Sequence, residues 1–129
     1  MPLIRIALRK GKPEAYRTAL TEGVYAALRT TFDVPEDDRF ALVSAHEACD
    51  FAYGASYLGI ARSDDLVIVQ ITCNDTRRLA QKRALYRAIA ENLGRDPGVR
   101  PEDVFISLVE VKAENWSFGN GLAQYAGAD

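Results

Sequence analysis

Little in this sequence points to a specialised environment. Its 129 residues hold two cysteines, one histidine, one tryptophan and one methionine. A disulfide framework packs more thiols into a shorter chain, so Cys49 and Cys73 are expected as free, buried, apolar residues in a reducing compartment. The single histidine, His46, lacks a partner pattern and is expected to be structural; no metal site is foreseen. Neither charge sign dominates: 16 Lys and Arg face 18 Asp and Glu, for a net charge of −2 and a pI near 5.4. Without a basic stripe, nucleic acid is not an expected partner. No apolar run approaches the roughly 20 residues that span a bilayer, and Arg5, Arg9 and Lys10 interrupt any signal-peptide pattern. The expected setting is the cytoplasm, with no membrane partner.

What is present fits an ordinary globular chain, 48% hydrophobic and 26% charged. By length it is one domain, 1–129, large enough to bury a core. The chain reads as a duplicated β-α-β unit. In the first unit, 1–45, "PLIRIAL" alternates at strand period, with Ile4, Ile6 and Leu8 on one side. "GKPEAYRTALTEGVYAALRTTF" then sets Ala15, Ala19, Leu20, Val24, Ala27 and Leu28 at helical spacing, with Pro13 and Glu14 in the first turn. A turn, "VPEDD", leads into a short strand around Phe40–Val43. The second unit, 66–112, repeats the order. "LVIVQITC" reads as a strand buried on both faces. A helix carries Leu85, Ala88, Ile89 and Leu93 on one side and closes at Gly94 as C-cap. "RPEDVFISLVEV" then echoes "VPEDDRFALV". The connection, 46–65, is read with a short strand around Tyr57–Ala61, and 113–129 forms a C-terminal segment. The fold class is α/β, or α+β in some schemes: one four-stranded mixed sheet with two helices on one face. Apolar residues on both sides of the strands predict that the other face is covered by further copies of the chain.

This topology gathers chemistry at one sheet edge. The strand after Pro2 runs opposite to "LVIVQITC", so Pro2 meets the residues following Cys73. The "PEDD" turn precedes a strand parallel to the first and reaches the same edge, as does the exit of the fourth strand. Pro2, Asp37 or Asp38, Asn74, Arg77, Arg78, Trp116 and Phe118 converge there. Initiator methionine is normally trimmed before proline, which would make Pro2 a secondary amine. An α-amino group titrates at about 7.7–8.0, so its surroundings decide whether it serves as base or acid. Arg77 suits a substrate carboxylate, and Asp38 suits orienting a water or the amine. Trp116 and Phe118 suit either a pocket wall that excludes water or an intersubunit core. Tyr125, in the tail "NGLAQYAGAD", is a further candidate to reach the pocket. Such a site fits a small carboxylate-bearing carbonyl compound.

The opening "MPLIRI", the turn "VPEDDRF" and above all "WSFGNGLAQY" resemble the tautomerase superfamily, and within it the malonate semialdehyde decarboxylase group. The resemblance covers nearly the whole chain. It implies a homotrimer, no cofactor, Pro2 as central acid or base, Asp38 as the site carboxylate and Arg77 as a substrate arginine. Where the best-known decarboxylases carry two arginines one residue apart, this chain reads "CNDTRRLAQK", with Asn74 in the first place. A second type, with a polar amide there and a single later arginine, fits better. The reaction expected is a decarboxylation of the malonate semialdehyde kind. Hydration of an acetylenic or acrylic acid is expected as a side activity of the acid form of Pro2. The alternatives are keto–enol tautomerisation of a 2-oxo acid and a catalytically inactive trimeric binding protein. Retention of Met1 would favour the last, because Pro2 would then be an amide.

Overall fold

In the computed structural model, which describes residues 2–127, two β-α-β units share one sheet. Strand β1 (Leu3–Arg9), helix α1 (Glu14–Phe32) and strand β2 (Ala41–His46) form the first. Strand β3 (Val67–Asn74), helix α2 (Leu79–Arg95) and strand β4 (Val104–Val111) form the second. The sheet order is β2-β1-β3-β4. Within each unit the strands are parallel, and β1 meets β3 antiparallel with Ile6 opposite Val69. The tandem repeat and mixed sheet expected from the sequence are therefore found. Whether Met1 is retained lies outside the described residues, as do the last two residues of the 113–129 segment.

The alternation of β1 and β3 decides the core. Ile4, Ile6 and Leu8 join Val67, Val69, Ile71 and Cys73 on one face, all buried. Leu20, Val24 and Leu28 of α1 and Leu85, Ile89 and Leu93 of α2 pack into the same cluster. Each fully buried Leu or Ile contributes about 1.5–3 kcal/mol of transfer free energy, so this layer is the main reason for the fold. The helices meet at Gly23. A Cβ there would lie 2.7 Å from Leu93 Cδ2, and the Asn92 amide donates to the Gly23 carbonyl at 2.9 Å.

Three expectations need correcting locally. Gly94 lies inside α2, not at its end; the cap is Asp96. The turn-back is made by Gly98, at φ 102°, where the N–H groups of Gly98 and Val99 donate to the Leu93 carbonyl. The connection has no strand at Tyr57–Ala61: Tyr57–Gly59 is a 3₁₀ turn, with Leu58 at φ 60°. Cys49 is exposed, and only Cys73 is buried.

The helix-free face is also less uniformly apolar than expected. Leu42, Phe105 and Val109 are exposed there. Across its middle, however, runs a register row of Leu42, Arg5, Gln70 and Ser107. Three of the four are polar.

A shift of 65 residues superimposes the units. It carries Glu14, where α1 begins, onto Leu79, and the 3₁₀ turn Ala48–Asp50 onto Ala113–Asn115. Phe40 maps to Phe105, Asp38 to Asp103 and Lys12 to Arg77. "FAYG" at 51–54 maps onto "WSFG" at 116–119, an extension of the repeat that composition and period alone do not announce.

Candidate active site at the proline edge

Pro2 is buried at the start of β1. It lines a cavity of about 210 Å³ with Leu3, Phe40, Trp116, Ser117 and Phe118. Phe40 was expected inside β2, but the strand begins one residue later. The Phe40 carbonyl still accepts from Ile4 at 2.9 Å, while its ring is half exposed beside the proline. The sequence signal for it is its repeat mate, Phe105.

The far wall folds upon itself. Trp116 and Phe118 stack with centroids 5.5 Å apart, and Tyr125 meets Phe118 edge-on at 4.7 Å. Gln124 closes the loop between them. Its Oε1 accepts from the Phe118 backbone N–H and its Nε2 donates to the Gly119 carbonyl, both at 2.9 Å. Asn120 and Gly121, at φ 57° and 69°, make the reversal. Thus "WSFGNGLAQY" is a closed loop whose aromatic residues pack on one another. Gln124 was not foreseen as a site residue.

Asn74 ends β3 and faces this wall: the Trp116 indole N–H donates to Asn74 Oδ1 at 2.7 Å. Arg77 lies between the strand and α2, two residues before the helix begins. One guanidinium nitrogen donates to the Phe32 carbonyl at 2.8 Å, another to Thr76 Oγ1 at 3.2 Å. The guanidinium also sits 4.9 Å from the Phe32 ring centroid. Its partners are neutral, so its positive charge is held in place without being cancelled by them. Phe32, the last residue of α1, is thus a support that sequence reasoning missed.

Arg78 is the N-cap of α2, where its backbone N–H donates to Gln81 Oε1. Its side chain is exposed, and it is not brought to the cavity. Of the two turn aspartates, Asp37 is exposed and Asp38 half-buried. Burial pushes the Asp38 carboxyl above its usual range, while the nearby Arg77 charge pulls it back. The turn itself is anchored by the Tyr25 hydroxyl, which donates to the Glu36 carbonyl. Arg39 lies over the same ring and ion-pairs with Glu22.

The lining of the cavity at Pro2 is apolar and aromatic apart from Ser117, and Asn74, Arg77, Asp38 and Tyr125 are not in it. Asn74 and Tyr125 reach only its aromatic wall, through Trp116 and Phe118, and Arg77 acts on Asp38. A family model described as tautomerase enzyme matches residues 38–119. The chain is 40% identical to the probable tautomerase YusQ of Bacillus subtilis (strain 168) over 124 residues, 96% of this chain and 98% of that one. Two solved malonate semialdehyde decarboxylases superimpose with TM-scores of 0.90. One, inhibited by 3-bromopropiolate, is 35% identical, covering 96% of this chain and 94% of the other. The second, described wild-type, mutant and inactivated with decarboxylase and hydratase activities, is 31% identical with 96% and 95% covered. With its duplicated β-α-β sheet and its proline edge, this chain belongs to the tautomerase family of enzymes.

Proposed function

We propose that Pro2, with Met1 removed, is the acid–base group of a cofactor-independent reaction on a small oxo acid. The observation that carries this is the apolar cavity in which Pro2 is walled by Phe40, Trp116 and Phe118; Arg77 lies outside its lining, three residues after Asn74, which is bonded to Trp116. Arg77 binds the substrate carboxylate, and its neutral partners leave its charge available for this. The aromatic wall excludes water and strengthens both interactions. Asp38 bears on the amine and on Arg77 as the local carboxylate.

The reaction we favour is decarboxylation of malonate semialdehyde or a close analogue, supported by the likeness to the two decarboxylases. Protonated Pro2 donates a hydrogen bond to the aldehyde oxygen. The C–C bond to the carboxylate breaks, its electron pair forms an enolate, and carbon dioxide leaves. A proton delivered to carbon then gives the aldehyde. The name of the Bacillus relative favours a second reading, keto–enol tautomerisation of a 2-oxo acid, with neutral Pro2 carrying a proton between oxygen and carbon. Exposed Leu42, Phe105 and Val109 support association of copies through the helix-free face, and a homotrimer is the assembly we propose.

The test is turnover of malonate semialdehyde and of an enol 2-oxo acid across pH. Decarboxylation should fall as pH rises through the Pro2 pKa; tautomerisation should rise. Equal turnover by wild type, Pro2→Ala and Arg77→Ala would remove the proposal.

A further inference from the structure

An indole N–H donates and never accepts, so the bond from Trp116 to Asn74 fixes more than a distance. The Asn74 carboxamide must turn its oxygen toward Trp116; the opposite flip would set two donors against each other. Its nitrogen, with two hydrogens, then faces away from the indole. Among the described residues that nitrogen donates to no protein group. Asn74 is half-buried at the end of β3, three residues before Arg77, on the edge that carries Pro2. A half-buried amide with its oxygen turned to the indole and its donors unspent is matched to an oxygen of an anion.

We propose that Trp116 is a positioning residue: by occupying Asn74 Oδ1 it makes Asn74 a dedicated hydrogen-bond donor to a substrate oxygen. Without the indole N–H the amide can flip and present its oxygen, which repels a carboxylate. Trp116 thereby sets specificity for an oxyanion through Asn74, in addition to walling the cavity. This rests on the oxo-acid reading above, so the test must separate the two.

Trp116 is the only tryptophan, so its indole N–H gives a single, unambiguous signal in a ¹H–¹⁵N spectrum. Asn74→Ala should shift that signal upfield and speed its exchange with water, whereas Asn74→Asp, which still accepts, should not. Pyruvate serves as the binding probe. Asn74→Asp should weaken its binding roughly 10- to 100-fold, the scale of a lost hydrogen bond to a charged group. Trp116→Phe, which keeps an aromatic ring, should weaken it several-fold and raise KM more than it lowers kcat. An indole signal unmoved by Asn74→Ala, or unaltered pyruvate binding in Trp116→Phe, would overturn the inference. Pro2→Ala in the same set tests the other reading. If turnover survives there while the Asn74 and Trp116 effects stand, the proline chemistry is wrong and the positioning role remains.

Discussion

The two ends of the sheet are copies of one design, and they have been finished differently. At the proline end, Arg77 is held by a carbonyl and a hydroxyl. At the other end its repeat mate, Lys12, forms an ion pair with Asp65 at 2.8 Å. Arg9, the mate of Asn74, pairs with Asp64 at 3.2 Å. Tyr53, the mate of Phe118, spends its hydroxyl on the same Asp64. Asp103, the mate of Asp38, is buried and accepts from Ser63 N and Oγ at 2.7 and 2.6 Å. Residues 63–65 thus satisfy the charged and polar groups of the second end. Val67, standing where Pro2 stands, is an internal, fully buried residue with an amide nitrogen. The two ends differ in what holds their cations: Lys12 and Arg9 are met by carboxylates, Arg77 by a carbonyl and a hydroxyl.

The carboxylates report the same contrast. Burial drives Asp38 upward. For Asp103 burial also pushes upward, but the Ser63 and Arg100 hydrogen bonds outweigh it and the carboxyl is depressed. By linkage, Asp103 adds stability above about pH 4 that is lost as pH falls through its lowered value. Asp38 has the opposite sign: its contribution is full at low pH and is lost as pH rises through its raised value.

Substitutions at matched positions can break this comparison. The largest effect should follow Pro2→Ala, a loss of roughly 10²- to 10⁴-fold in kcat, as for a general acid or base; a variant at full rate would place the chemistry elsewhere. Next, Arg77→Ala should lower kcat/KM roughly 10- to 100-fold, while Lys12→Ala leaves it within about twofold. Similar losses in both would mean that the ends are equivalent after all. Urea denaturation at pH 7 should show Asp103→Ala less stable by about 2–3 kcal/mol, because Ser63 donors lose their acceptor. Asp38→Asn should be neutral or slightly stabilising, and the gap between the two should narrow in acid. Smallest, Gln124→Ala should cost about 1 kcal/mol locally, read as faster hydrogen exchange at the Phe118 amide with little change in the global midpoint.

Much of this was legible in the sequence because it depends on period. Alternation in "LIRIALR" and the continuous run "VIVQITC" define β1 and β3, and the echo of "PED" before Phe40 and Phe105 gives the duplication. From topology alone, Pro2, Trp116 and Phe118 fall into one cavity and Asp38 near Arg77. What escaped depends on long-range partners. Nothing local says that Tyr57 turns in 3₁₀ form rather than extending; Arg62, which donates to the Gly54 and Tyr57 carbonyls, holds it so. Gly94 looks like a cap, yet the chain continues helically because Gly98 supplies the positive φ instead. The hold on Arg77 is equally hidden from local pattern, because the carbonyl that accepts from it belongs to α1, 45 residues earlier.

The close approach at Gly23 ties these themes to how such a protein can be altered. Each unit delivers part of the proline edge: Pro2 and Asp38 from one, Asn74 and Arg77 from the other. Their relative placement passes through the helix crossing, where Gly23 meets Leu93 and Asn92. In a chimera that exchanged one half for that of a relative, β1 and β3 could still pair, but a side chain at position 23 would press on Leu93 of the other half. A side chain added at position 23 would thus be met by the opposite unit's helix, on the face away from the open one.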